Sequence, residues 1–294
     1  YFLYTENINF FDSLRKIVKY YNSPIFTINY LLHALMQEEI SKKGFKVVIS
    51  GNGADEFFAG YYDHYLYHLA DLRNNADNIN YKINFNYWKK HLLPNLRNKN
   101  YKNFYKYYNN KNKNLSFNKE FTEYVNNNKS INFIIKKIFN FSLKNNMLAQ
   151  IPERLSPILY MDDMNSMRSS LENRTPFLDR NLIEYAFSIP SKFYIQKGYN
   201  KYLLRKSMNG ILNNKIRTAR KKYGFNASLT SFNDFNKKNY IENLFDNIIN
   251  IKHLINEKKL YKFVNNLDFM NMTDNESKFL FRLISTSFFY NNNN

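Results

Sequence analysis

The order of hydrophobic patterns between residues 27 and 69 constrains the fold of this chain more than any other feature. Residues 27–43 carry apolar side chains at helical spacing, and Gly44 stands where a helix would end. The apolar run Phe45–Ser50 predicts a short buried strand, and a tight Gly-Asn-Gly-Ala turn follows it. The helical pattern returns from Asp55 to Leu69. This order is typical of a parallel α/β sheet, in which ligands bind at the carboxyl ends of the strands.

The rest of the chain predicts mostly helices. Residues 73–150 are dense in Asn, Lys and Tyr, and we expect a variable, mostly helical segment there. The further predicted elements are helical segments at 87–96 and 131–143, a helix from Pro157 to about Ser169, a loop over Leu171–Asp179, a helix capped by Asp179 that stops before Pro190, a helix from Tyr202 to Gly210, a helix over Ser277–Phe289 and a frayed tail at Asn291–Asn294.

Composition excludes several classes of protein. Hydrophobic residues make up 44% of the chain and aromatic residues 18%, which favours a packed core over global disorder. The chain has no cysteine, so it forms no disulfide, thiolate metal site or cysteine nucleophile. No apolar run approaches the ~18 residues of a membrane span and no signal peptide opens the chain, so we expect a cytoplasmic protein with no membrane partner.

The formal net charge of +19 admits two interpretations. A strongly basic surface favours polyanionic partners such as nucleotide phosphates, nucleic acid or an anionic membrane. The same charge also follows from a composition rich in Lys, Asn, Ile, Tyr and Phe, which AT-rich codons encode. We favour the compositional origin, do not expect nucleic acid as a partner, and count only basic residues tied to a motif as functional evidence.

The first candidate site is the loop Ser50–Glu56. Its two glycines let the backbone approach a ligand closely, and Asp55 could hold Mg²⁺ on a polyphosphate. The alternative is a plain strand-to-helix turn in which acidic residues stabilise the helix dipole.

Two later segments add further candidates. Glu172 and Arg174 flank a turn after a helix, where Glu172 could accept a proton, or the two could form a structural ion pair. The stretch Arg220–Phe225 could deliver a cation to phosphate charge, or could be a solvated basic face. His64 and His68 lie four apart on one helix, a spacing that can share a metal, but without an evident third ligand we expect ordinary helix histidines.

Taken in order, these motifs resemble those of the asparagine synthetase family, most closely over residues 22–70 and 150–230. The loop corresponds to Ser-Gly-acid-Gly-small-Asp-Glu, and later segments correspond to Asp-x-x-Ser-Met, Glu-x-Arg-x-Pro-Phe-Leu-Asp, Lys-x-x-Leu-Arg and Arg-x-Lys-x-Gly-Phe. The matching residues are Ser50, Gly51, Gly53, Asp55, Glu56, Phe57, Phe58, Gly60 and Tyr61, then Asp163, Ser166, Met167, Glu172, Arg174 and Pro176–Asp179, then Lys201, Leu204 and Arg205, and finally Arg220, Lys222, Gly224 and Phe225.

The resemblance implies an α/β fold with a parallel sheet of the nucleotide alpha-hydrolase (PP-loop ATP pyrophosphatase) type and a large helical C-terminal portion. Residues 1–294 would form one partial synthetase domain, with 1–72 in the nucleotide-binding core and 151–294 carrying the catalytic loops. The implied reaction is adenylation of a carboxylate by ATP with Mg²⁺, followed by attack of ammonia to give an amide. The implied roles are catalysis for Glu172, Lys222 and Asn52, nucleotide binding for Ser50, Gly51, Gly53, Lys201 and Arg220, and Mg²⁺ binding for Asp55.

Three departures from the family pattern shape the expected function. The pyrophosphate-binding loop Ser-Gly-Gly-x-Asp-Ser and the glutaminase domain that supplies ammonia do not occur in this sequence, so we expect a fragment of a longer protein. Asn52 stands where the family has an acidic residue or, in relatives that close β-lactam rings, a tyrosine. Aspartate is the default substrate. The alternatives are an amidotransferase acting on a sugar acid in cell-envelope biosynthesis, and a nucleic-acid-binding or non-catalytic relative.

Overall fold

The computed structural model describes residues 2–95, 142–220, 224–225 and 228–292 of the chain. Helices dominate these residues, with one small sheet. The elements are α1 (Phe10–Tyr21), α2 (Ile28–Lys42), β1 (Val47–Ile49), α3 (Ala54–Phe57), α4 (Tyr62–Asn74), α5 (Asn78–Tyr87), α6 (Leu143–Gln150), α7 (Ser156–Arg168), β2 (Glu172–Arg174), α8 (Arg180–Ser188), α9 (Tyr202–Ser207), α10 (Asn214–Arg217), α11 (Lys237–Asn247), α12 (Glu257–Asn266) and α13 (Asp274–Asn292).

Shorter helical turns connect these elements. Two are π-helical turns, Trp88–Leu92 and Ile151–Leu155. The others are 3₁₀ turns at Thr5–Asn7, Leu93–Asn95, Pro176–Leu178, Ser191–Phe193, Leu229–Ser231 and Ile249–Leu254.

The sheet consists of β1 and β2, which pair in parallel with Val47 opposite Glu172 and Ile49 opposite Arg174. The predicted parallel pairing is confirmed for these two strands. The prediction of a loop throughout Leu171–Asp179 is wrong, because β2 begins the segment. The three residues of β2 show no strand periodicity in the sequence. Pairing with β1 holds their backbone in an extended conformation.

The prediction of a short buried strand over Phe45–Ser50 is wrong in its bounds and in its burial. The strand is shorter, and on one of its faces Val47 and Ile49 are 41% and 72% exposed. On the other face, helix α7 packs against β2. Helices therefore cover this small sheet on one side within the described residues.

Several predicted helices are confirmed with shifted ends. The patterns at 27–43, 157–169 and 277–289 correspond to α2, α7 and α13. Asp179 caps α8 as predicted, accepting a hydrogen bond from the Leu182 backbone N–H at 3.0 Å. The predicted tail at Asn291–Asn294 is wrong in part, because α13 runs to Asn292. The prediction at 131–143 lies almost entirely outside the described residues.

The predicted helix from Asp55 to Leu69 is broken into α3 and α4. Helix α3 ends at Phe57, Ala59 in the connection has φ = 55°, and α4 begins at Tyr62. The apolar pattern continues through this break, so periodicity alone does not reveal it.

A helical layer of α1 with α11–α13 forms the largest hydrophobic core. Asparagine caps three of its helices: Asn9, Asn236 and Asn256 each accept a hydrogen bond from a first-turn backbone N–H. Asp234, on the loop before α11, accepts the backbone N–H of Phe10 at 2.8 Å and so links the two ends of the chain. No helix in the described part of the chain is long and apolar enough to cross a membrane.

Candidate active site

The loop after β1 contacts the second motif directly. The Ser50 backbone N–H donates to the Arg174 carbonyl at 2.8 Å, which extends the β1–β2 ladder to the start of the loop. Gly53 has φ = 93°, and a Cβ there would lie 2.7 Å from Leu178 Cδ2. Only glycine fits this close approach without strain. The loop Ser50–Glu56 and the Pro-Phe-Leu segment therefore form one packed unit.

Asp55 and Lys201 form an ion pair that joins the first motif to the third. The Lys201 ammonium lies 2.7 Å from Asp55 Oδ1, and both side chains are about one quarter exposed. Gly60 makes the approach possible, because a Cβ at this position would lie 1.8 Å from Asp55 Oδ1 and 2.3 Å from Lys201 Cε. Lys201 itself has φ = 54°, a left-handed conformation that is uncommon for a residue with a side chain.

These residues open onto a cavity of about 220 Å³ that also reaches Arg205 and Arg220. Arg220 stacks over the Tyr199 ring with its guanidinium carbon 3.7 Å from the ring centre, and it donates to the Lys197 carbonyl at 3.0 Å. Stacking and hydrogen bonding hold this guanidinium in place at the cavity.

Positive charge dominates the cavity. Lys201, Arg205 and Arg220 line it, whereas Asp55 is the one acidic residue among its described lining residues. Burial lowers the pKa of Arg205, and the nearby Arg220 lowers it further. Desolvation lowers the pKa of His91, at the rim, and the positive charges of Arg220 and Lys90 add to the effect. A cavity with this charge suits a phosphate-bearing anion.

The surroundings of Asp55, a single carboxylate with a cation beside it, also fit its predicted role in binding Mg²⁺. Mg²⁺ in nucleotide sites is commonly held by one or two carboxylates together with substrate phosphates. The Lys201 ammonium at Asp55 shows that this position favours positive charge. No group of three or more His, Asp or Glu residues within the described ranges forms a complete metal site by itself.

Asn52 belongs to a second polar cluster, centred on Asp162 of α7. The Asn52 amide nitrogen donates to Asp162 Oδ2 at 2.7 Å, and the Asn173 amide nitrogen donates to the same oxygen. His33 Nδ1 lies 3.7 Å from the other carboxylate oxygen. The side chain of Asp162 is almost fully buried. Sequence reasoning missed Asp162 and singled out Asp163, which the structure exposes to solvent.

Glu172 lies apart from this cluster. It begins β2 beside Val47, on the exposed face of the sheet, and pairs with Arg174 at 2.8 Å. A hydrogen bond from Arg174 lowers the pKa of this carboxyl group. Side chains alternate between the two faces of a strand, so Asn173, which lies between Glu172 and Arg174, points to the opposite face, toward α7. The arrangement matches the ion-pair interpretation of the sequence, and the catalytic role of Glu172 stays a prediction.

Lys222 lies outside the described residues, so its predicted role also stays a prediction. The end of its motif is described: the Phe225 ring lies 4.4 Å from the His33 ring, centre to centre. This contact brings the fourth motif to the cluster around Asp162.

The two histidines of α4 are both buried. The Tyr61 backbone N–H donates to His64 Nδ1, and His64 Nε2 lies 2.6 Å from Gln150 Oε1. Burial lowers the pKa of His64, and it lowers the pKa of His68 to about 4. The structure thus places these histidines in the packed interior behind the candidate site.

Comparison with known proteins agrees with the family resemblance of the motifs. The sequence profile of the asparagine synthase family matches residues 1–283. The chain is 30% identical over 178 residues to asparagine synthetase [glutamine-hydrolyzing] 3 of Bacillus subtilis (strain 168), an alignment that covers 58% of this chain and 25% of that protein. It is 43% identical over 68 residues to asparagine synthetase [glutamine-hydrolyzing] 1 of the same organism, covering 23% of this chain and 11% of that protein.

The chain therefore matches only a minor part of the length of these relatives. No solved structure matches it significantly. A profile match over nearly the whole chain, together with motifs that the fold brings into contact, establishes that the chain belongs to the asparagine synthase family.

Proposed function

We propose that this chain is the synthetase part of an ATP-dependent amide ligase. The observation that carries the proposal is the cavity, where Asp55, Lys201 and Arg220 meet although they come from three separate motifs. Composition alone would scatter basic residues over the surface. Here Lys201 pairs with the carboxylate of the loop that follows the parallel strand, where α/β sheets bind ligands, and Arg220 lines the same cavity.

In the proposed reaction, a substrate carboxylate oxygen attacks the α-phosphorus of ATP and the bond to pyrophosphate breaks. Ammonia then attacks the acyl carbon, and AMP leaves with the bonding electrons. In this proposal Lys201 and Arg220 bind the phosphate charge, and Ser50 and Gly51 contact the nucleotide, as the family resemblance implies. Asp55 would hold Mg²⁺, which supplies charge neutralisation on the phosphates when bound.

Aspartate is the proposed substrate, and a sugar acid is the second candidate. Asn52 favours considering the second, because it stands where relatives carry an acidic side chain. The matched relatives are named as glutamine-hydrolyzing, so we propose that ammonia comes from a glutaminase domain.

The test is pyrophosphate release from ATP by the complete enzyme, with aspartate or a uronic acid as the acceptor. Lys201→Ala and Arg220→Ala should each lower kcat on the order of 10²-fold, as expected when a cation that stabilises transition-state charge is removed. Lys206→Ala is the matched control, because Lys206 is an exposed cation on the same helix as the cavity wall.

Equal activity in all three variants would contradict the proposed phosphate site. Activity with a uronic acid but not aspartate would identify the second substrate class. Steeply salt-dependent RNA binding without any pyrophosphate release would instead support a nucleic-acid-binding relative.

A further inference from the structure

The Asp162 cluster brings together two side-chain amides that take no part in the proposed reaction as described above. Asn52 lies in the loop after β1 and Asn173 lies in β2, and both direct their amide nitrogens at one carboxylate oxygen of Asp162. The Asn52 side chain lies 110 residues from Asp162 in the sequence. The contact is therefore a product of the fold.

The chemistry of a carboxylate fixes the orientation of both amides. A carboxylate accepts hydrogen bonds and has no hydrogen to donate, so each amide must present its NH₂ group to Asp162. The carbonyl oxygen of each amide then lies on the far side from Asp162. Asn173 Oδ1 is buried and has no hydrogen-bond partner among the described residues. A buried acceptor without a partner is uncommon, and a bound N–H or O–H donor would satisfy it.

We propose that Asp162 is a positioning residue that orients Asn52 and Asn173 so that their carbonyl oxygens bind an N–H donor, the ammonia nucleophile. The inference rests on the proposed amide-forming function. Ammonia can donate its N–H groups to carbonyl oxygens while its lone pair remains free for the acyl carbon. Asp162 itself is buried and acts through the amides.

This arrangement gives a physical role to Asn52, where the sequence departs from the family pattern. An Asn at this position cannot act as a carboxylate, but one held by Asp162 presents a fixed neutral acceptor. The carboxyl group of the cluster belongs to Asp162 on helix α7, behind the loop that carries Asn52. His33, 3.7 Å from Asp162 and contacting Phe225, closes the other side of the carboxylate.

The first test measures two steps separately in the complete enzyme: pyrophosphate release, and amide formation with ammonium chloride as the nitrogen source. Asp162→Ala should raise the KM for ammonium at least about tenfold, the effect of losing one well-placed hydrogen-bonding arrangement. The KM for ATP should stay within about twofold. Glu153→Ala, at an exposed acidic residue just before α7, is the control and should match the wild type.

The second test is a double-mutant cycle that remains informative if Asp162→Ala folds poorly. Asn52→Asp places two carboxylates in contact and should lower amide formation at least about tenfold. The exchange Asn52→Asp with Asp162→Asn restores an amide–carboxylate pair and should recover much of that loss. Strong coupling between the two positions would show that Asp162 acts through Asn52.

The outcomes separate this inference from the proposed function. Additive effects in the cycle, or equal rises in the KM for ATP and for ammonium, would overturn the positioning role of Asp162. Absence of ATP-dependent pyrophosphate release in the wild-type enzyme would overturn the proposed function itself.

Discussion

The helical layer of α1 with α11–α13 and the region around the candidate site bury very different side chains. In the described part of the layer, the buried polar residues are Ser285 and Ser287, and the rest of its interior is aliphatic or aromatic. In the described residues outside the layer, which include the site, buried polar and charged side chains are frequent, namely Gln37, Glu56, Asp63, His64, His68, Asn84, Gln150, Asp162, Asn165, Ser166 and Ser169. Burying polar groups costs free energy unless they are paired. Their frequency outside the layer indicates that this part of the chain is shaped for chemistry, whereas the apolar layer is shaped for stability.

The largest effect on stability should come from the layer. Phe10 is fully buried and packs edge-on against Phe232, Phe235 and Phe281. Phe10→Ala should lower the free energy of unfolding by about 3–5 kcal/mol, measured by urea denaturation. Phe2→Ala, at a side chain that is 87% exposed, should leave it nearly unchanged. Similar losses in both variants would remove the distinction between the two regions.

Gly60→Ala should damage the site more than the fold. The added methyl group meets Asp55 and Lys201, so the ion pair must open. We expect a loss of about 1–3 kcal/mol in unfolding free energy, together with a fall in pyrophosphate release on the order of 10-fold. At Gly51 a Cβ meets no atom within 4 Å, so Gly51→Ala should unfold like the wild type. Full activity of Gly60→Ala would show that the Asp55–Lys201 contact is dispensable.

His68 should make stability depend on pH. In the folded state burial lowers its pKa from 6.5 to about 4, and neither ring nitrogen has a hydrogen-bond partner within the described ranges. Between those pH values the unfolded chain binds more protons, so stability is fully present above pH 6.5 and falls as the pH drops toward 4, by about 1.4 kcal/mol per pH unit at most. His68→Leu should remove this contribution in unfolding curves measured at pH 7.5 and pH 5. A pH dependence equal to that of the wild type would mean that His68 titrates normally.

The smallest effect should come from surface ion pairs. Arg180 and Glu184 form a pair at 2.8 Å on α8, and both side chains are largely exposed. Arg180→Ala should change the thermal unfolding midpoint very little, corresponding to less than about 0.5 kcal/mol. A larger loss would show that charge on the surface of this basic chain matters more than the burial comparison implies.

Local sequence was sufficient for much of the fold. The apolar spacing of α2 and α7 and the Asp179 cap of α8 are written in neighbouring residues, and the structure confirms each of them. The order of the motifs was likewise sufficient to identify the family, which the profile match over residues 1–283 confirms. Residue roles within those motifs stay predictions, above all for Lys222, which lies outside the described residues.

The tertiary structure decided what depends on contacts between distant segments. Strand β2 exists because it pairs with β1, more than 100 residues earlier, and Lys201 reaches Asp55 because Gly60 has no side chain in the way. Asp162 and Asp163 are adjacent acids on one helix, and the sequence offers no periodic signal that separates them. Packing buries Asp162 against Asn52 and leaves Asp163 in solvent, because a helix turns neighbouring side chains about 100° apart. The sequence thus determined the elements and the family, whereas the fold determined which polar residues meet at the site.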